Sequence, residues 1–205
     1  TGNILYRHPL SPNETRGILE HIKTFPKLHP MIDKGAFMYV PKSAGRFIPV
    51  DKKPYPIFFF EAHGNGFRLR RVKDLVPLVD VPVDKVLTAA SPEYLQSHWP
   101  EIAAPFRGSL SCMFTSAFYF EFTAKDVDKA KALDAVLPSL GIGREEIIAF
   151  GDGQNDLSML RYAGIGVAME NAVPQLKDAA DEVTLSNSAD GIAASLLKHI
   201  PELNG

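Results

Sequence analysis

The chain has one cysteine, Cys112, in 205 residues. That excludes an internal disulfide framework and a cysteine-rich zinc site, and it suits a reducing compartment. No apolar run reaches the ~18 residues needed to span a bilayer, and Thr1-Gly2-Asn3 opens no basic-then-apolar targeting segment. A cytoplasmic protein with no membrane partner is expected. The sequence also lacks a dominant charge: 22 Lys and Arg stand against 24 Asp and Glu, a net charge of −2. The basic footprint of a general nucleic-acid binder is therefore missing. Five of the six histidines lie in residues 1–123, yet none forms a His-x-x-x-His or His-x-His pair, which argues against zinc. There is no internal repeat, no low-complexity tract and no initiator methionine, the last being expected of a processed, tagged or truncated product. What remains, 45% hydrophobic and 22% charged, is the composition of an ordinary globular protein. The length allows one large domain or two small ones.

Two is the expected number. Thirteen of the 16 prolines fall in residues 1–123, and the charge divides at the same place, +4 before and −6 after. In residues 1–123, Ser11-Pro12-Asn13-Glu14 combines a cap residue, a proline and a capping-box glutamate, predicting a helix to about Phe25. Apolar stretches at 36–40, 57–61, 67–72 and 85–89 read as strands, with Asn65-Gly66 predicting a hairpin between the middle two. Ser91-Pro92-Glu93 opens a helix to about Ala104, and strands at 109–115 and 118–123 close an α+β module.

Residues 124–205 read differently. Apolar residues at helical spacing run from Val127 to Leu140 and stop at Gly141; Ile147–Phe150 is a short continuous apolar run of the kind buried on both faces of a parallel sheet. A helix at 155–162, a strand at 165–169, a helix at 174–180, a short strand at 182–184 and a helix at 188–200 follow. Regular alternation implies βαβ units on a parallel sheet, here with only about three strands.

The chemistry concentrates at Ile147-Ile148-Ala149-Phe150-Gly151-Asp152-Gly153-Gln154-Asn155-Asp156, where an apolar strand runs into glycines and acids and then a helix. Asp152 and Asp156 thus sit at the carboxyl end of a strand, where open α/β sheets place their ligands. Two carboxylates offer the hard oxygens that suit Mg²⁺, and Asn155 with the amides opening the helix can donate to an anion. An isolated Asp-x-x-x-Asp more often only caps a helix, so its surroundings decide its meaning.

Those surroundings, Gly151-Asp152-Gly153-Gln154-Asn155-Asp156 followed by Met159-Leu160, Ala163-Gly164, Gly166-Val167-Ala168-Met169 and Asn171-Ala172, closely resemble the last catalytic motif of the haloacid dehalogenase (HAD) superfamily, and within it the Cof-type sugar phosphatases with a class IIB α/β cap. The resemblance continues through Val127-Asp128-Lys129 and through Lys177, Ala180-Asp181, Ser186-Asn187 and Asp190-Gly191, and covers 124–205 almost completely. It implies an α/β fold: a partial HAD-like, Rossmannoid parallel-sheet core at 124–205, preceded by an α+β cap at 1–123 that begins with a linker. It implies a Mg²⁺-dependent phosphatase acting on a small phosphorylated metabolite, a sugar phosphate, through an aspartyl-phosphate. Asp152 matches the metal ligand and Asp156 a second acidic position that supports the metal. Asn155 matches a residue that touches the phosphate. Lys129 matches the lysine that pairs with the phosphoryl oxygens; Ala130 stands where the family prefers glycine.

The family's Asp-x-Asp-Gly-Thr nucleophile motif has no counterpart here. The only Asp-x-Asp, Asp126-Val127-Asp128, lacks a glycine turn and is expected to be a decoy, so the nucleophile is expected to lie outside this chain and the fragment to be inactive alone. Two other readings use the same residues: a phosphomutase of the same superfamily, and a non-catalytic phosphosugar- or metal-binding regulator. In the cap, His63, Asn65, Arg68, Arg70 and Arg71 could meet an anionic substrate, although a solvated hairpin face is the plainer expectation. Trp99 and Phe58–Phe60 are expected in the core, and Cys112 is expected to be buried and inert. Gly164-x-Gly166 precedes a strand instead of joining strand to helix, which excludes a dinucleotide loop.

Overall fold

The structure is a computed structural model and describes residues 3–204. The chain forms two compact units, one of residues 7–126 and one of residues 127–204 together with 3–6. Residues 3–6, expected to lead into the cap, therefore group with the C-terminal unit; Thr1, Gly2 and Gly205 lie outside the described residues.

In the first unit α1 (Pro12–Ile22) begins as its sequence predicts: Glu14 N–H donates to Ser11 Oγ (3.2 Å), and Ser11 N–H donates to Glu14 Oε2 (2.8 Å). Then come β1 (His29–Lys34), β2 (Phe37–Pro41), the hairpin of β3 (Ile48–Val50) and β4 (Lys53–Tyr55), α2 (Ile57–Gly64), β5 (Arg68–Val72), β6 (Val86–Ala89), α3 (Pro92–Ala103), β7 (Leu110–Ser116) and β8 (Tyr119–Ala124). Six of these strands form one sheet in the order β5-β2-β1-β6-β8-β7, antiparallel except for β2 beside β5.

That one parallel pair explains the largest departure from expectation. Residues 57–61 are helix, not strand, and Asn65-Gly66 ends a helix instead of turning a hairpin. A two-residue hairpin turn of the expected kind needs positive φ at both residues, but only Gly66 has it (φ 73°), while Asn65 has φ −100°. Parallel strands require a crossover, and α2 lies on it. A short apolar run cannot by itself distinguish strand from buried helix. The helix sends its phenylalanines in different directions: Phe58 is 1% exposed in the core with Met31, Val40 and Leu87, whereas Phe59 and Phe60 are 59% and 52% exposed. Two of the three phenylalanines expected in the core are therefore outside it, as is Trp99, 38% exposed on α3. The central strand β1 was not apparent in the sequence, because only Met31-Ile32 are apolar between His29-Pro30 and Asp33-Lys34. The β3–β4 hairpin hides for a related reason: its turn residues, Asp51 (φ 49°) and Lys52 (φ 63°), carry no glycine signal.

The second unit follows its predicted alternation closely. It contains α4 (Lys129–Val136), which tightens into a 3₁₀ turn and stops at left-handed Gly141, then β9 (Ile148–Gly151), α5 (Leu157–Tyr162), β10 (Ile165–Ala168), α6 (Pro174–Lys177), β11 (Glu182–Val183) and α7 (Gly191–His199). The three strands form a wholly parallel sheet in the order β11-β10-β9. Ala149, Leu160, Ala168, Met169 and Leu176 make its core. The fold is thus α/β with a parallel-sheet core unit and an α+β companion. Among the described residues no helix is long and apolar enough to cross a membrane.

The helical assignment of α2 has a measurable consequence. Phe58→Ala should cost about 3–5 kcal/mol and Phe60→Ala under about 1 kcal/mol in chemical denaturation. In a strand both rings would share one face, so similar losses at the two positions would contradict the helix.

Candidate functional site

The site is built where β9 ends. Asp156 is 5% exposed and its carboxylate turns back under the loop. Its Oδ2 accepts the main-chain N–H groups of Asp152 and Gly153, both at 3.1 Å, and its Oδ1 accepts the Lys129 ammonium. This return is possible only because the loop carries glycines. A Cβ on Gly151 would lie 2.5 Å from Asp156 Cβ, and one on Gly153 would lie 2.5 Å from Asn155 Oδ1. At Gly151 the neighbour is a Cβ that cannot swing aside, so close approach requires glycine there; at Gly153 the neighbour is the end of the Asn155 side chain, which can rotate away.

Lys129 stands at the first position of α4, after Asp128, whose side chain caps the helix by accepting the Lys131 N–H at 2.9 Å. A lysine there opposes the helix dipole unless an anion compensates it, and Asp156 is that anion. Asp128 uses one carboxylate oxygen on the cap. Asp152 is exposed. Its carbonyl accepts the Val173 N–H at 3.0 Å, and its side-chain Oδ2 accepts the Asn171 side-chain N–H at 3.2 Å. Asn155 is half-buried in the 3₁₀ turn Gln154–Asp156 that leads into α5.

Three of the four expected site residues, Lys129, Asp152 and Asp156, are thus joined through direct hydrogen bonds, with Asn155 adjacent in the same loop. The main-chain N–H groups of Asp152 and Gly153 donate to Asp156, and that of Asp156 to the Gly153 carbonyl at 3.0 Å, so of the amides expected to meet an anion those of Gln154 and Asn155 remain. Asn171 stands in the motif, but its contact with Asp152, 19 residues away, has no local spacing signal. Similar close approaches recur outside the loop: a Cβ on Gly164 would meet the Glu145 carbonyl oxygen at 2.6 Å, and one on Gly166 the Leu160 carbonyl oxygen at 2.5 Å.

Among the described residues no three His, Cys, Asp or Glu side chains gather at one point. One exposed carboxylate with one oxygen free of donors from the described residues fits Mg²⁺, which commonly takes one or two carboxylates and fills its octahedron with water and phosphate oxygens. Asp156, turned inward, can support it only from behind.

Several of the polar residues expected to meet an anion in the first unit have partners of their own. Arg71 donates to the carbonyls of Ala44 (2.6 Å) and Gly45 (3.2 Å), Arg70 lies over the Phe37 ring at 3.9 Å, and His63 stacks on Phe59 at 5.4 Å. Asn65 turns back on Glu61. Arg68 and Arg70, two residues apart and both exposed, share one face of β5, and Arg71 lies on the other. A cavity of about 350 Å³ exists in this unit between the end of α1, the start of β1 and the Lys73–Leu75 turn, but it contains none of the expected site residues. Cys112 is half-buried, and desolvation pushes its thiol up to about 11.

A parallel sheet with an acidic loop at a strand's carboxyl end, a lysine brought to it by the preceding helix and an α+β companion define a HAD-type architecture. The profile of haloacid dehalogenase-like hydrolases matches residues 1–196, and the chain belongs to that family. A haloacid dehalogenase-like hydrolase from Bacteroides thetaiotaomicron superposes with a TM-score of 0.78 at 30% identity, covering 95% of this chain and 69% of that one. The HAD subclass IIB sugar phosphatase BT4131 superposes with a TM-score of 0.74 at 23% identity, covering 98% of this chain and 70% of that one, a likeness of fold. A phosphoglycolate phosphatase of Methanopyrus kandleri is 37% identical over 89 residues, 43% of this chain and 38% of its own length. The chain spans less than half the length of this and other curated relatives it matches.

Two outcomes follow from the geometry. Asp156→Ala strands two amides and a lysine and should destabilise the fold by on the order of 2–4 kcal/mol, while Asp152→Ala should cost under about 1 kcal/mol in urea unfolding. Cys112 should react with iodoacetamide at pH 8 on the order of 100-fold more slowly in the folded chain than after denaturation, because little thiolate forms three pH units below its pKa.

Proposed function

We propose that this chain is the cap and the C-terminal part of the core of a Mg²⁺-dependent phosphatase that hydrolyses a small phosphate monoester, a sugar phosphate, in the cytoplasm. The observation that carries the reading is the Lys129–Asp156 pair beside the exposed carboxylate of Asp152: an ammonium tied from the start of α4 to the loop that carries a free hard oxygen. The relatives named as phosphatases support the reaction class, and the sugar phosphatase of the same fold supports the substrate class.

In this reading an aspartate supplied outside these 205 residues attacks phosphorus and the ester P–O bond breaks. The alcohol leaves with a proton, and water then cleaves the aspartyl-phosphate to release inorganic phosphate. Lys129 places its ammonium against the phosphoryl oxygens, offsetting the negative charge that both nucleophile and phosphate bring. Asp156 holds that ammonium in place and ties it to the loop. Asn155 donates its side-chain amide to a phosphoryl oxygen. A Mg²⁺ ion held by Asp152 would neutralise phosphate charge and orient the group for in-line attack. The 7–126 unit, as a cap, would exclude water and choose the substrate.

The test is a screen of the full-length gene product against phosphorylated metabolites, with and without EDTA. Release of inorganic phosphate, abolished by EDTA, is the expected result. Asp152→Asn should lower turnover by on the order of 100-fold with partial recovery at high Mg²⁺, and Lys129→Ala should lower it by a similar factor without such recovery. Isomer formation without phosphate release would make the protein a phosphomutase. Tight binding of a phosphosugar with no turnover would make it a regulator. Wild-type rates in either variant would remove these residues from the site.

A further inference from the structure

Asn171 lies in the turn after β10, 19 residues beyond Asp152 in the chain, and it bridges two segments. Its side-chain oxygen accepts the main-chain N–H of Asn187 at 3.0 Å, and its side-chain nitrogen donates to Asp152 Oδ2 at 3.2 Å. Chemistry fixes this orientation. A backbone N–H can only donate, so the amide oxygen must face Asn187, and the NH₂ is left to face Asp152.

The rest of Asp152 is already tied down. Its N–H donates to Asp156 Oδ2 at 3.1 Å and its carbonyl accepts the Val173 N–H at 3.0 Å, so only the side-chain torsions remain free. The Asn171 amide engages one carboxylate oxygen. Among the described residues nothing donates to the other, Oδ1. A lysine or arginine in this place would also hold the carboxylate, but it would cancel the negative charge that a cation needs. A neutral amide fixes the rotamer and leaves the charge intact.

We propose that Asn171 is a positioning residue: it holds Asp152 in the rotamer that presents Oδ1 to the divalent cation, and it links that carboxylate to the turn at Ser186-Asn187. The inference rests on the reading of Asp152 as the Mg²⁺ ligand. It adds a residue, and a second loop, on which cation affinity depends.

The experiment is a titration of the full-length protein with Mn²⁺, followed by water-proton relaxation, in the wild type, Asp152→Asn, Asn171→Ala and Asn171→Leu. The leucine variant keeps the side-chain volume and serves where alanine does not fold. Asn171→Ala should raise the Mn²⁺ Kd by about 10–100-fold. Phosphate release should then be depressed at low Mg²⁺ and recover towards the wild-type rate at saturating Mg²⁺. A merely structural role would lower the melting temperature and the competent fraction without moving the Kd of the folded molecules. An unchanged Kd in the folded Asn171 variants, with binding lost in Asp152→Asn, would overturn this inference alone. Binding that survives Asp152→Asn, or no binding by the wild type, would overturn the metal reading beneath it.

Discussion

The site depends on one carboxylate that faces inward. Asp156 accepts two main-chain N–H groups through one oxygen and the Lys129 ammonium through the other, joining α4 to the loop after β9. A buried carboxylate is costly unless its charge and its lone pairs are met, and here both conditions hold. The arrangement also removes two conformational uncertainties. It fixes the loop that carries Asp152, and it gives a solvent-accessible lysine a defined place at a helix start where the dipole would otherwise disfavour it.

This division between the two carboxylates gives the acidic motif its meaning. At four residues' separation they look equivalent in the sequence, both offering hard oxygens to a metal. Their environments are opposite: Asp152 is exposed with an oxygen available, whereas Asp156 is enclosed and engaged on both oxygens. A cation at this loop would have Asp152 as its direct ligand from this chain, with Asp156 acting through the backbone amides and the lysine.

Legibility in the sequence followed the locality of the signals. The parallel alternation of 124–205 is readable because β9 and β10 are short apolar runs and α4 and α6 begin at a capping aspartate and a proline. The Ser11 capping box was equally plain. In the first unit the evidence was weaker. Ile57-Phe58-Phe59-Phe60 has the composition of a strand, and only the parallel pairing of β2 with β5, contacts far apart in the chain, makes it a crossover helix. β1 is central to its sheet yet has just two consecutive apolar residues, so its burial comes from neighbours on both sides. At the site, Lys129, Asn155, Asp152 and Asp156 stood out through their motif. Asn171 gained a role only when the fold brought it beside Asp152.

The glycines of the second unit lead to a different point. Gly151, Gly164 and Gly166 each occupy a place where a methyl group would collide with a neighbouring atom at 2.5–2.6 Å, and at Gly164 and Gly166 that neighbour is a main-chain carbonyl with no part in holding an anion. Much of what makes this signature recognisable is therefore a record of backbone crowding. A descendant that had abandoned catalysis altogether would still be obliged to keep those three glycines, so they testify to shape, while Asp152 and Lys129 testify to turnover.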